Sequence, residues 1–232
     1  MVRRTGWVQL VTEGDPRPCR NTVLHSVLAG VEADAAISKT VAANQAVGAR
    51  LSWHLSPLSS PDDLQARLES AGFEATPVRY FAARPAAVKP KVAKTVTVEA
   101  IDADNQEAFL QAACADQPHA GLRRADLEHL LTVDGYRFFM ASLDGVPAAT
   151  GGTRIMGRAA WLFGARTAAA LQGNKAYEAL TAARLEDLRS TKASSVYAVA
   201  PENGAAQVLD RLGLESAGSG AIMIAPDQTA HT

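Results

Sequence analysis

The 232-residue sequence has two cysteines, no long apolar run and no large excess of either charge. Each shortage excludes something. Cys19 and Cys114 cannot build a disulfide framework, and their spacing matches no metal motif. No stretch approaches the roughly 18 apolar residues that a spanning helix needs, so no membrane partner is expected. After Met1-Val2-Arg3-Arg4, the stretch Trp7 to Val11 is broken by Gln9 and followed by Glu13 and Asp15. That is not the apolar core of a secretory signal, and the expectation is a cytoplasmic protein. His25, His54 and His129 share no ligand spacing, so no metal is expected and all three read as structural. Net charge is −1. Residues 1–94 carry twelve Lys/Arg against eight Asp/Glu, and residues 95–232 eleven against sixteen. That basic excess is spread out rather than clustered, so it is no nucleic-acid footprint.

What is present is an ordinary globular composition, 47% apolar, long enough to bury a core without staples. The segment Arg84 to Lys94 has two prolines, four basic residues and no acidic ones. It reads as an extended linker and separates residues 1–88 from residues 95–226. In the first part, Glu32 to Gly48 reads as a helix, Leu51 to Leu55 as a strand and Val78 to Ala82 as another. Ser60-Pro61 reads as a helix start, with Leu64 and Leu68 on one face. In the second part, strands are expected at Thr95 to Ile101, Tyr136 to Leu143, Val146 to Ile155, Ala159 to Thr167, Ser195 to Ala200 and Ala221 to Ala225. Helices are expected at Gln106 to Ala115, Arg124 to Val133, 174 to 190 and across Ala205 to Leu212. Asp144-Gly145 is a hairpin pair. Gly151-Gly152 suggests a bulge or a close backbone approach. Trp53 and Trp161 read as core strand residues. One internal echo stands out: a helix ending at glycine, then an apolar residue, then a strand, around Phe73 and again around Leu214.

Chemistry concentrates where the strand ending at Thr167 runs through a short polar turn into a long helix, Gln172-Gly173-Asn174-Lys175-Ala176-Tyr177. The first N–H groups of a helix have no partner within it and carry partial positive charge. Such an end suits a pyrophosphate. Gly173 permits close approach, and Lys175 adds a charge.

Together with the following strand and the stretch Asn203 to Leu214, this pattern resembles the GNAT superfamily of acyl-CoA-dependent N-acyltransferases, over roughly residues 95–226. Gln172, Gly173, Asn203 and Ala206 match its motifs. Lys175 stands where the family usually has glycine, Tyr177 where it has glycine or alanine, and Leu214 where it has phenylalanine. Leu209 replaces the tyrosine that many members use to protonate the departing thiolate. The resemblance implies an α/β (α+β) fold: a mixed, mostly antiparallel sheet with helices on both faces. Residues 1–88 then look like a degenerate half-domain of the tandem-GNAT kind. It implies transfer of an acyl group, acetyl above all, from acetyl-CoA or another acyl-CoA to a primary amine of a small molecule. A homodimer is compatible with this reading. The coenzyme contacts implied are Arg166, Thr167, Ala168, Gln172, Gly173, Asn174, Lys175, Ala176, Tyr177 and Asn203. Candidate catalytic groups are His119 as base, with Tyr177 or Tyr197 as acid; Asp116 is a candidate for a cationic amine. Two other readings stay open: a non-catalytic acyl-CoA binder or scaffold, and a tRNA-dependent aminoacyl transferase.

Overall fold

The computed structural model describes residues 2–4, 6–11, 15–88, 95–114, 124–168 and 175–226. In chain order the elements are β1 (Val2–Arg4), β2 (Trp7–Leu10), β3 (Thr22–Ser26), α1 (Gly30–Gln45), β4 (Ser52–Leu55), α2 (Leu64–Ser70), β5 (Glu74–Ala83), β6 (Val96–Ala100), α3 (Gln106–Cys114), α4 (Arg124–Leu131), β7 (Tyr136–Leu143), β8 (Val146–Met156), β9 (Ala159–Thr167), α5 (Ala176–Arg189), β10 (Ser195–Pro201), α6 (Ala205–Arg211) and β11 (Glu215–Ile224). The chain forms two compact units, residues 1–79 with 218–232, and residues 80–217. The contact-based boundary therefore precedes the proline-rich segment, and most of β11 is grouped with the first unit. Among the described residues no helix is long and apolar enough to cross a membrane.

In the first unit the strand order is β1-β2-β3-β4-β11, with β3 and β4 parallel and the other neighbours antiparallel. Leu51, Trp53, Leu64, Leu68, Phe73 and Met223 are its buried centre. Trp53 is fully buried, and its indole N–H donates to Ser26 Oγ at 3.0 Å. The expected helix start at Ser60-Pro61 is corrected to Leu64. Ser60 has another use: its N–H donates to the Ser26 carbonyl at 3.1 Å, and its own carbonyl accepts from Leu28 N–H at 3.1 Å. A residue bridged in that way to an extended segment cannot cap a helix.

In the second unit, β6 to β9 form an antiparallel meander, and β10 joins β9 in parallel. Asp144 and Gly145 close the β7–β8 hairpin with φ of 51° and 81°, the two positive values a type I′ turn needs. The alternation of strands sorts the core. Ala160, Leu162, Val196 and Ala198 meet Leu185 and Leu188 of α5, Leu209 of α6 and Leu212 just after it. Phe138 and Met140 meet Phe109 and Leu110 of α3 and Leu127 of α4. The result is the expected class: a mixed, mostly antiparallel sheet with helices on both faces.

The internal echo is conformational as well as textual. α2 and α6 each have seven residues and each precede a ten-residue strand. Gly72 and Gly213, which end them, have φ of 87° and 84°. That left-handed stop favours glycine. Phe73 and Leu214 then turn into the core.

Candidate functional site

β8 and β9 pair Gly152 with Phe163 and Thr150 with Arg166. Gly164 and Ala165 of β9 therefore face Gly151 alone, and Gly164 takes φ of 60°. An extra residue bends the strand that carries it. The β9–β10 ladder runs from Ala159–Ser195 to Leu162–Ala198 and stops there, two residues before the bulge pair begins. The strands part at that point. Ala168 N–H donates to Ala148 carbonyl at 2.9 Å. Backbone direction alternates along a strand, so the Thr167 N–H points to the opposite edge, where β10 has departed.

The parting opens a cleft of about 720 Å³. Ala165 and Thr167 of β9 line it, with Lys175 to Glu178 at the start of α5, Asn203 and Gly204 after β10, and Gln207 and Arg211 of α6. The Lys175 side chain makes no cap bond to α5; the first N–H groups of any helix take their partners from outside it. Lys175 sits at the cap position with φ of 39° and ψ of 1°. That conformation explains why the family pattern has glycine there: side chains with a Cβ adopt it at a cost. Arg211 pairs with Glu178 at 3.4 Å, which offsets the one carboxylate among the described residues of the cleft. Burial pushes the Tyr177 phenol above its ordinary value, and the nearby Arg184 guanidinium pulls it back. Burial likewise lowers Arg184, to about 10.

Of the residues expected to act together, Thr167, Lys175, Ala176, Tyr177 and Asn203 share this cleft. Arg166 and Ala168 line a second cavity, about 330 Å³, on the α3 side with Gln111, Ala112 and Thr150. Strand alternation sends Arg166 there, away from Thr167, and its Nη1 donates to the Ala113 carbonyl at 2.9 Å. Tyr197 is 47% exposed and sits opposite Trp161, within the paired part of the ladder rather than in the cleft. Trp161 is itself 45% exposed, which corrects its expected place in the core. Leu209 is buried in the core, so α6 offers no acid at that position. His119, Asp116, Gln172, Gly173 and Asn174 lie outside the described residues. The residues that sequence reasoning missed are Glu178, Gln207 and Arg211. The i, i+4 spacing of Gln207 and Arg211 is the available signal, since it places both on one face of α6.

The first unit has its own strand–helix–parallel strand run, β3-α1-β4. Its ladder covers only Thr22–Ser52 and Val23–Trp53. There the end of β3 is occupied: Val27 bridges to Ser60. The Ser60 backbone takes the place that stays open beside β9.

No protein-family model and no curated protein matches the chain by sequence. Solved structures do match. A GCN5-related N-acetyltransferase from Kribbella flavida shares 17% identity, covers 96% of this chain and 90% of its own length, and has a TM-score of 0.67. A functionally unknown conserved protein from Staphylococcus epidermidis shares 14%, covers 97% and 92%, and has a TM-score of 0.69. A tandem GNAT protein from the clavulanic acid biosynthesis pathway shares 14%, covers 91% and 75%, and has a TM-score of 0.56. The fold of the chain is GNAT-like.

Proposed function

We propose that this chain of GNAT-like fold transfers an acyl group, acetyl above all, from acyl-CoA to a primary amine of a small molecule. The observation that carries the reading is the parting of β9 from β10 beside the start of α5. The residues fit the co-substrate: the α5 N–H groups and Lys175 suit a pyrophosphate, and the cleft of about 720 Å³ lies beside them. Acyl-CoA supplies an electrophilic thioester carbonyl. The chain's own part is to hold and polarise. Thr167 N–H, aimed into the parting, donates to the carbonyl oxygen as negative charge builds on it. Tyr177, a phenol protonated at neutral pH at the edge of the cleft, is the candidate to give its proton to the departing sulfur. A thiolate with a pKa near 8.5 also takes a proton from water at neutral pH, so positioning can supply much of the rate. The acceptor amine, arriving neutral, has the second cavity beside Gln111 and Arg166 as its approach. No histidine or carboxylate lines that cavity among the described residues, which leaves His119 as the candidate base.

Calorimetry with acetyl-CoA and free CoA, followed by thiol release against a panel of small amines, tests this. Micromolar binding with amine-dependent CoA release is the expected result. Binding without turnover on any amine supports the non-catalytic reading, which Leu209 in the core favours. No binding at millimolar acetyl-CoA refutes both.

A further inference from the structure

Arg184 is the one charged side chain of residues 80–217, among those described, that is fully buried, at 1% exposure. No carboxylate among the described residues pairs with it. A lone buried charge is costly and survives only when its donors are well used. Here the fork of donors spans two strands. Nη2 donates to the carbonyls of Gly152 and of Phe163, the latter at 3.2 Å, and Nε to Thr153 Oγ1 at 3.4 Å. The Phe163 carbonyl belongs to the peptide that leads into Gly164, where the bulge begins. Gly151 faces this packing, and Gly152 faces the aromatic cluster on the other side of β8. A Cβ on Gly151 would lie 2.9 Å from Arg184 Nη1, and one on Gly152 would lie 2.5 Å from the Phe163 ring.

An apolar side chain could fill this space without desolvating a charge; what the guanidinium adds is a fork that reaches both strands. We infer that Arg184 is a positioning residue for acyl transfer: it ties the Phe163–Gly164 peptide to β8 and so keeps the Thr167 N–H aimed into the parting of β9 and β10. The inference rests on the acyl-transfer reading for its catalytic part. Its structural part stands on the contacts alone.

Three variants separate the roles. Arg184→Met keeps the stem and frees both carbonyls. Arg184→Lys keeps the charge, but a single ammonium cannot serve two strands as a planar fork does. Gly151→Ala keeps the Arg184 side chain but puts a Cβ 2.9 Å from its Nη1, so the guanidinium must shift. A reacting group displaced by about 1 Å costs on the order of a hundredfold. Arg184→Met should therefore lower kcat by roughly thirty- to a hundredfold while KM for acetyl-CoA moves less than about threefold. Arg184→Lys should fall between it and the parent. Gly151→Ala should lose roughly fivefold in the parent background and less than twofold in Arg184→Met, because the two changes act through one group. Amide hydrogen exchange reads the same clamp without turnover. Exchange at Arg166 and Ala168, whose N–H groups face β8, should quicken at least about tenfold in Arg184→Met while the β6–β7 amides hold. Unchanged exchange at those amides overturns the inference, as does unchanged kcat or a loss confined to KM. If Arg184→Met does not fold, Arg184→Lys and Gly151→Ala carry the same measurements. If the parent transfers no acyl group, the acyl-transfer reading fails, and the exchange result alone decides whether the clamp exists.

Discussion

Lys175 holds a backbone conformation, φ 39° and ψ 1°, at the cap of α5 that ordinary residues enter at a cost of about 1–2 kcal/mol. Glycine enters it freely but gives up more freedom on folding, about 0.5–1 kcal/mol. The difference leaves roughly 0.5–1 kcal/mol in favour of glycine at this position. For a unit of this size that amounts to a rise of about 1–4 °C in Tm. Lys175→Ala is the proper reference. It keeps the Cβ and its strain and loses the same charge, so the two variants differ in backbone cost alone. Both should bind acetyl-CoA roughly five- to tenfold more weakly than the parent, since an exposed phosphate contact is worth about 1 kcal/mol or somewhat more. The loss should shrink at high salt. Thermal unfolding by circular dichroism and calorimetric titration read the two effects separately. A glycine variant that melts at or below the alanine variant refutes the strain argument. Parental affinity in both variants would place the phosphates away from α5.

Gly152→Ala should cost about 1–3 kcal/mol in urea unfolding, because its Cβ would crowd the Phe163 and Phe138 rings at 2.5 and 2.9 Å; a variant as stable as the parent would show that those rings have room to move. Tyr177→Phe should lower kcat about a hundredfold with little change in KM for acyl-CoA if the phenol is the acid, and an unchanged kcat would assign that proton to water. His54 is half-buried, and burial lowers its imidazole pKa. Its contribution to stability is therefore fully present above the ordinary value of about 6.5 and is lost as pH falls toward the lowered value. His54→Gln should flatten the loss of stability between pH 7.5 and 5, measured by urea midpoints, and an unaltered slope would place that pH dependence elsewhere.

Strong local signals carried much of the fold. Asp144-Gly145 marked its hairpin because both residues tolerate positive φ. The strands at Tyr136 to Leu143 and Ala159 to Thr167 were legible from their alternation and their flanking glycines. Gly72 and Gly213 announced two helix ends of the same conformation. The weak signals were short or polar: Thr22–Ser26 shows no clean alternation, and Glu215 to Gly220 reads as a loop until it is paired. Ser60-Pro61 had the composition of a helix start, yet its backbone groups were drawn into a bridge with Val27. In the cleft, Thr167, Lys175, Ala176, Tyr177 and Asn203 could be named in advance, since strand, turn and helix succeed one another along the chain.

The sequence by itself determined the class of fold and the place where β9 gives way to α5, because each depends on residues close together in the chain. Tertiary structure decided what that junction faces. Arg166 and Thr167 are neighbours in sequence, but pairing with β8 sends one to α3 and the other to the cleft. Tyr197 is a candidate acid by sequence, and the ladder sets it opposite Trp161, outside the lining of the cleft. Glu178 and Arg211, 33 residues apart, meet only because α5 and α6 pack side by side, and Arg184 reaches Gly152 and Phe163 only across that same core. Spacing along a chain determines which groups share an element, whereas register and packing determine which groups share a site.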